Sequence, residues 1–461
     1  MKRTILSALF LITNIVIQAQ SYNYYYGNIH AHTGYSDGNK DSATSLMSTP
    51  LQDFNYAKQS NHIDFYGISE HNHLQAGLKS PGDYHQGIID ANTVNVDGQF
   101  VAIYGMEWGV ISNGGHVIIY GIDSLIGWDT NDYDIYNAEY DYTSLWKKVI
   151  ARPGAFAYLA HPQTTDYDSI FLKPLSIDAD SAIVGMCARS GPAFSTADTY
   201  TDVSSSSYIA RYKQALALGY HVGLGLDHDT HNSVFGRQTA GRLVVLASSL
   251  TRANVLDAIR SMRMYSSDDW NAKVDFTISS QPMGSIIEQA NSPVISVTVN
   301  DPDAGETTSS IKVYGGVPGS GVGATLITSN TNSNTLTYTA TIANNSTYYY
   351  YLQITQADTD VIWTSPIWYK RNDILGISTF KTENIFNLYP NPSNGVINIV
   401  LQEITPTGFD VEVTNELGQL VYKESTNNML STTLDLHDRK GVYFVKVKSQ
   451  KGISVRKIMV E

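Results

Sequence analysis

The sequence predicts an α/β fold first, a barrel of parallel strands with helical crossovers, then an all-β sandwich and a second, smaller β-sandwich. Three observations carry this. Up to about residue 270, strand-like runs alternate with helical ones, and each strand ends in a polar tip. Of the 12 histidines, eight (His30, His32, His71, His73, His116, His161, His228 and His231) stand in or beside those tips, leaving only His62, His85, His221 and His437 elsewhere. From about Lys273 the helical pattern stops, and short β runs follow, separated by Gly, Asn, Ser and Pro.

At 461 residues the chain has room for two or three domains, each able to bury a core. A formal net charge of −13 argues against a nucleic-acid backbone as partner. Lys2 and Arg3 precede an apolar run, Leu6 to Ile17, and small Ala19 offers cleavage before Gln20. This is the pattern of a secretion signal over residues 1–19, and the run is too short to span a bilayer. No other stretch is apolar enough to cross one. Cys187 is the only cysteine, which excludes an internal disulfide, and its neighbours Val184, Met186 and Ala188 place it on a buried strand as an inert thiol.

Taken in order, Tyr24-Tyr25-Tyr26 begins a strand by its aromatic content. His30 and His32, two apart on an extended chain, aim their imidazoles at one point, and Gly34 and Gly38 let the chain turn so that Asp37 returns a carboxylate to it. Thr49-Pro50 starts a helix. Ile63 to Ile68 is a strand running into Ser69-Glu70-His71-Asn72-His73, Phe100 to Tyr104 a strand ending in Glu107-Trp108, and Gly115 to Gly121 another, with His116 near its start. Residues 143–151 read as helix, Ala155 to Leu159 as a strand delivering His161, 206–218 as helix, and Val222 to Leu226 as a strand delivering Asp227-His228-Asp229-Thr230-His231. The domain expected from these is 20–272. A β-sandwich follows over 273–372, without histidine or any cluster of convergent acids, then a linker over 373–384 and a last β-domain over 385–461.

A lone His-x-His is most simply a pair of solvated histidines on a strand face. Solvated histidines, however, would scatter without regard to strand ends. Nitrogen and carboxylate ligands gathered at one end of a sheet are what Zn, Mn or Fe asks for.

The matching pieces are His30-x-His32 with Ser36-Asp37-Gly38, Ser69-Glu70-His71-Asn72, Gly105-Met106-Glu107, Gly115-His116, Ala160-His161-Pro162 and Asp229-Thr230-His231. In this order they resemble the polymerase-and-histidinol-phosphatase (PHP) family of metal-dependent phosphoesterases, over roughly residues 23–270. The resemblance implies a distorted seven-stranded (β/α) barrel holding two or three divalent metal ions. It assigns His30, His32, Glu107 and Asp229 to one ion, with Glu107 bridging to a second held by His116 and His161. Asp37, His71 and His231 would hold a third. Asp227 competes with Asp229 for its place, and the Asp-x-His spacing favours Asp229. Glu70 stands where the family commonly has Asp, and would orient an imidazole from behind. Cys187 falls near where some members have a carboxylate.

A water between two cations would lose its proton near neutral pH and attack phosphorus or a carbonyl. Arg189, Arg237 and Arg242 are the candidates for stabilising developing charge, and His73 and His228 for general acids. Trp108 and Tyr35 would pack on the substrate or wall the site. The expectation is therefore an exported metal-dependent hydrolase, a phosphoesterase first and an aryl ester or carbamate hydrolase second. A third reading, from another class, is a surface adhesin or glycan-binding protein with structural metals. Finally, Tyr389-Pro390-Asn391-Pro392 and Gly441-Val442-Tyr443-Phe444-Val445-Lys446 resemble the C-terminal sorting domain of type IX secretion, which implies the type IX machinery as partner and delivery outside the cell.

Overall fold

The computed structural model describes residues 22–110, 114–204, 206–372, 385–402, 408–427, 429–437, 439–449 and 452–461. The expected signal peptide and the expected linker lie outside the described residues. Strand accounts for 41% and helix for 16%, so β-structure dominates more than a strict strand–helix alternation predicts. The chain divides into one compact unit ending at Asn372 and a second C-terminal unit.

The first unit opens with β1 (Asn23–Asn28), α1 (Pro50–Lys58), β2 (Phe65–His71), α2 (Pro81–Val94), β3 (Val101–Trp108) and β4 (Val117–Tyr120). It continues with α3 (Tyr142–Ile150), β5 (Phe156–Leu159), β6 (Ile183–Ser190), α4 (Ile209–Leu218), β7 (Gly223–Asp227), β8 (Arg242–Ala247), α5 (Arg252–Arg260) and β9 (Met264–Ser267). Local chemistry explains the helix starts. The Thr49 side chain accepts from Gln52 N and Ser80 from Asp83 N, and each is followed by a proline whose missing N–H costs the first turn nothing. Asp141 caps α3 in the same way, and Leu145, Trp146 and Val149 form its buried face.

These strands hydrogen-bond in the order β7-β6-β5-β4-β3-β2-β1-β8-β9. The pairs β1/β2, β2/β3, β5/β6 and β6/β7 are parallel, as expected from crossovers. β4 runs antiparallel to both neighbours, because the short loop from Trp108 to Val117 has no room for a crossover. β8 is antiparallel to β1 and β9 to β8. The chain segments just past β1 and β7 meet in a parallel bridge, Ala31 to Thr230, where His32 N donates to Thr230 O at 2.8 Å. Both sheet faces are covered. Along β3, Ala102, Tyr104 and Met106 join one core cluster while Val101 and Ile103 join another, the period of two that a doubly covered strand requires.

The sheet does not stop at residue 272. After β10 (Lys273–Ile278), β11 (Val294–Asn300), β12 (Thr308–Gly316), β13 (Thr325–Thr331), β14 (Thr335–Thr339), β15 (Ser346–Gln356), β16 (Val361–Thr364) and β17 (Ile367–Arg371), it is β16 that pairs with β9, Tyr265 opposite Thr364. One layer of the sandwich, β16-β15-β12-β13, thereby extends the first sheet, and β10, β11 and β14 form the facing layer. The C-terminal unit is two small sheets around Ile397, Ile399, Val411, Val413, Val445 and Val447.

Candidate metal centre

All nine expected ligands come together. β1 delivers His30 and His32 on the extended segment beyond its end, both fully buried. The turn that brings Asp37 back depends on Gly38, where a Cβ would stand 2.1 Å from His32 O. β2 ends in His71 and β3 in Glu107-Trp108, His116 lies just before β4, and His161 and Asp229 follow β5 and β7 at positive φ (26° and 50°).

Glu107 is the hub. Its Oε1 lies 3.1 Å from His30 Nε2, 3.0 Å from His116 Nδ1 and 3.1 Å from His161 Nε2. Its Oε2 lies 3.2 Å from both His32 Nε2 and His71 Nδ1. Asp229 Oδ1 reaches His30 and His32 at 3.2 and 3.3 Å. On the far side of His71, Asp37 Oδ1 is 3.6 Å from His71 Nε2 and 3.3 Å from His231 Nε2. Seven of the nine, all but His30 and His32, open onto one cavity of about 390 Å³, walled by His73, Gln75, Ala76, Val110, Ala193 and Phe194.

The donor set fits divalent metals. His71 Nδ1, His116 Nδ1 and Glu107 Oε2 are buried and make no hydrogen bond, although they lie 3.0–3.2 Å from opposite-type atoms. Buried atoms left in this state cost stability, and a cation among them would satisfy them. Groups able to ligate a metal include His30, His32 and Glu107; Glu107, His116 and His161; His30, His161 and Asp229; His32, Asp37, His71 and His231; and His71, His73 and His116. The second set is the one the sequence assigns to the bridged ion, and the fourth adds His32 to the third expected ion.

Electrostatics point the same way. Burial disfavours a charged imidazole, yet Glu107, Asp229 and Asp227 outweigh it at His30 and hold its pKa well above the ordinary value. His32 is pushed up to about 10 against its burial by Asp229 and Glu107. Glu107, despite burial, is held well below the usual carboxylate range by His116, His30 and His71. His71 is lowered well below its usual value by burial and by His32. Buried carboxylates at this density demand positive charge among them.

The choice between the two aspartates is now geometric. Asp229 faces the cavity, while Asp227 is fully buried behind His30, its Oδ2 3.3 Å from His30 Nδ1 and its Oδ1 accepting from Ser190 Oγ at 2.5 Å. Asp227 therefore backs a ligand, and that is the role the sequence gives to Glu70. Glu70 instead clamps the turn after His32, accepting from Thr33 N at 3.1 Å, from Thr33 Oγ1 at 2.5 Å and from Ser36 Oγ.

Of the five expected catalytic groups, only His73 lines the cavity, stacked on Trp128 with ring centroids 5.3 Å apart. Arg189 is spent on an ion pair with Asp268 (3.0 Å) and on Ser204 O. Arg237 lies over the Tyr56 ring, 4.3 Å from its centroid, and the fully buried Arg242 donates to the carbonyls of His62, Thr239 and Gly241. His228 is sealed away, with Nε2–H donating to Gly241 O at 2.8 Å. Trp108 is fully buried against Tyr142 and Trp128 rather than exposed to a substrate. Cys187 is buried as expected, and burial pushes its thiol pKa up. What the sequence does not show is the apolar wall, in which Phe194 approaches the His231 ring to 4.8 Å.

Comparison with known proteins adds one assignment. Residues 387–461 match the family described as the secretion system C-terminal sorting domain. No PHP family match is found, and no curated protein sequence matches the chain. Similar solved structures include CopC from Methylosinus trichosporium OB3b, 19% identical, covering 16% of this chain and 93% of that one with a TM-score of 0.14. Fibronectin(III)-like modules of Clostridium thermocellum CbhA are 19% identical, covering 41% and 94%, with a TM-score of 0.18. Streptomyces avermitilis α-L-rhamnosidase is 12% identical, covering 40% and 24%, again at 0.18. Scores this low carry no argument. Among the described residues no helix is long and apolar enough to cross a membrane. The chain ends in a type IX secretion sorting domain, and the protein is exported, to the cell surface or beyond it.

Proposed function

We propose that the first unit is a multinuclear metal-dependent hydrolase acting outside the cell, a phosphoesterase of the PHP type. One observation carries the reading: five histidines surround Glu107, and Asp37, Asp229 and His231 complete a set of nine His, Asp and Glu side chains beside one cavity. His30, His32 and Asp229 with Glu107 would hold one ion, Glu107, His116 and His161 a second, and Asp37, His71 and His231 a third. Zn, Mn and Fe all suit this ligand chemistry. Such ions, when bound, supply an acidified water and neutralise charge on the scissile group.

The protein's own contribution is positioning. Asp227 sits behind the ring of His30, Glu70 fixes the turn that carries Asp37, and Phe194 with Val110 gives the cavity an apolar wall. Burial lowers the pKa of His73, so it presents a neutral imidazole that accepts a hydrogen bond from substrate.

The alternative bond, an aryl ester or carbamate, is favoured by one feature. No Arg or Lys is among the described residues lining the cavity, and Lys40 is engaged 3.2 Å from Asp37. The test is elemental analysis of the purified full chain, with hydrolysis assays on p-nitrophenyl phosphate, bis-p-nitrophenyl phosphate and p-nitrophenyl acetate. Two or three metals with chelator-sensitive phosphate release support the phosphoesterase. Metals with acetate cleavage alone move the reading to the ester. Absence of metal after reloading with Zn or Mn refutes both.

A further inference from the structure

In the sequence the acids of the sandwich do not look convergent, yet the fold gathers several at its edge. The segment after β9 brings Asp269 and Asn271, the loop between β11 and β12 brings Asp301 and Glu306, and the end of β15 brings Gln356. The Asp301 and Glu306 carboxyl groups lie within hydrogen-bonding reach of each other, and Asp269 is close enough to add to the repulsion. Arg242 is near enough to feel the charge of Asp269, but its guanidinium is already committed to backbone carbonyls.

A second observation is independent of the acids. Gln356 is 98% buried, its Nε2 donates to Asp301 Oδ2 at 2.5 Å, and its Oε1 is buried without a hydrogen-bond partner. An amide oxygen sits about 2.2 Å from its own nitrogen, so this oxygen lies at the carboxylate cluster. Asn271 Oδ1 and Glu306 Oε2 are likewise buried and unpartnered. Orphaned buried oxygens cost stability unless something satisfies them.

We propose that Asp301, Glu306, Asp269 and the Gln356 carbonyl oxygen form a calcium site, separate from the histidine centre. Every donor is oxygen, two or three of them anionic, on loops rather than on one rigid strand, which is the ligand chemistry of Ca²⁺ and not of Zn²⁺. The ion would tie the segment after β9 to the β11–β12 loop and the end of β15. It would thereby lock the junction at which the first sheet continues into the sandwich. An exported protein meets calcium at the concentrations where extracellular modules bind, with a Kd of about 10⁻⁴–10⁻³ M.

Trp270 supplies the assay, because its Nε1 donates to Asp303 Oδ2 at 3.2 Å beside the cluster. Full-length protein is titrated with Tb³⁺ under indole excitation, then with Ca²⁺, and melting is followed with Ca²⁺ or Mg²⁺. The expected results are sensitised Tb³⁺ emission displaced by Ca²⁺, and a rise in Tm with Ca²⁺ exceeding that with Mg²⁺. Glu306→Gln should weaken Ca²⁺ binding about tenfold or more. Trp270→Phe should lose the emission and keep the Ca²⁺-dependent Tm rise, and His161→Ala should keep both. Absence of any Ca²⁺-dependent Tm shift in the wild type overturns the proposal. So does a shift and Tb³⁺ affinity unchanged in Glu306→Gln, or emission lost in His161→Ala.

Discussion

Asp227 Oδ2 stands 3.3 Å from His30 Nδ1, while the other nitrogen of the same ring faces Glu107 at 3.1 Å and Asp229 at 3.2 Å. One imidazole is thus held from behind and offered in front. A carboxylate beside Nδ1 favours a proton on that nitrogen, which leaves Nε2 free to ligate. Asp227→Asn should lower metal affinity about 10- to 100-fold and leave the fold intact. Asp229→Asn, which removes a candidate ligand, should cut hydrolysis more severely. Metal content after dialysis against a graded chelator, with circular dichroism for the fold, checks both. Equal effects of the two variants would contradict the division of roles.

Glu107 supports a sharper expectation, because five histidine nitrogens lie within 3.0–3.2 Å of its two oxygens. In Glu107→Gln the charge at the centre of these imidazoles disappears, so more than one ion should be lost from a single substitution. His161→Ala should lose one. Elemental analysis counts the difference, and p-nitrophenyl ester hydrolysis should fall in both variants. Retention of full metal loading by Glu107→Gln would remove the hub from the account.

Much of this centre is legible in the sequence, for a physical reason. Strands that end together put their next residues together, so His71, Glu107, His161 and Asp229 meet once the strands are recognised. The reversal of β4 is less visible, since direction depends on loop length rather than on the strand's own residues. Second partners are the least legible. Arg189 looks like a free cation until folding brings Asp268 to it, and Asp269 looks unrelated to the acids at 301 and 306 until the sandwich closes. Local periodicity places a residue on a strand, but not opposite its long-range partner.

The ion pair of Arg189 supports a prediction opposite to a catalytic role. Its Nη1 lies 3.0 Å from Asp268 Oδ2, and Asp268 is largely buried. Arg189→Met should leave kcat on a p-nitrophenyl ester unchanged while destabilising the unit by about 3 kcal/mol, the cost of stranding a buried carboxylate. Denaturant melts alongside steady-state kinetics separate the two effects. A large fall in kcat with unchanged stability would return Arg189 to the reaction.

His228 sets a pH dependence of stability. Burial, with the nearby Arg242, pushes its pKa down to about 3, whereas an unfolded chain protonates histidine near 6.5. The folded form therefore excludes a proton that the unfolded form takes up. Its contribution is complete above pH 6.5, declines as pH falls, and is exhausted near pH 3. Within that window the slope from this one group is about 1.4 kcal/mol per pH unit. Glutamine can still donate to Gly241 O in place of the imidazole Nε2–H but has no proton to gain. His228→Gln should thus be less stable at pH 8 and show a shallower loss of stability between pH 6 and 4. Urea melts at several pH values measure both slopes, and parallel curves for the two proteins would show that His228 is not the buried base responsible.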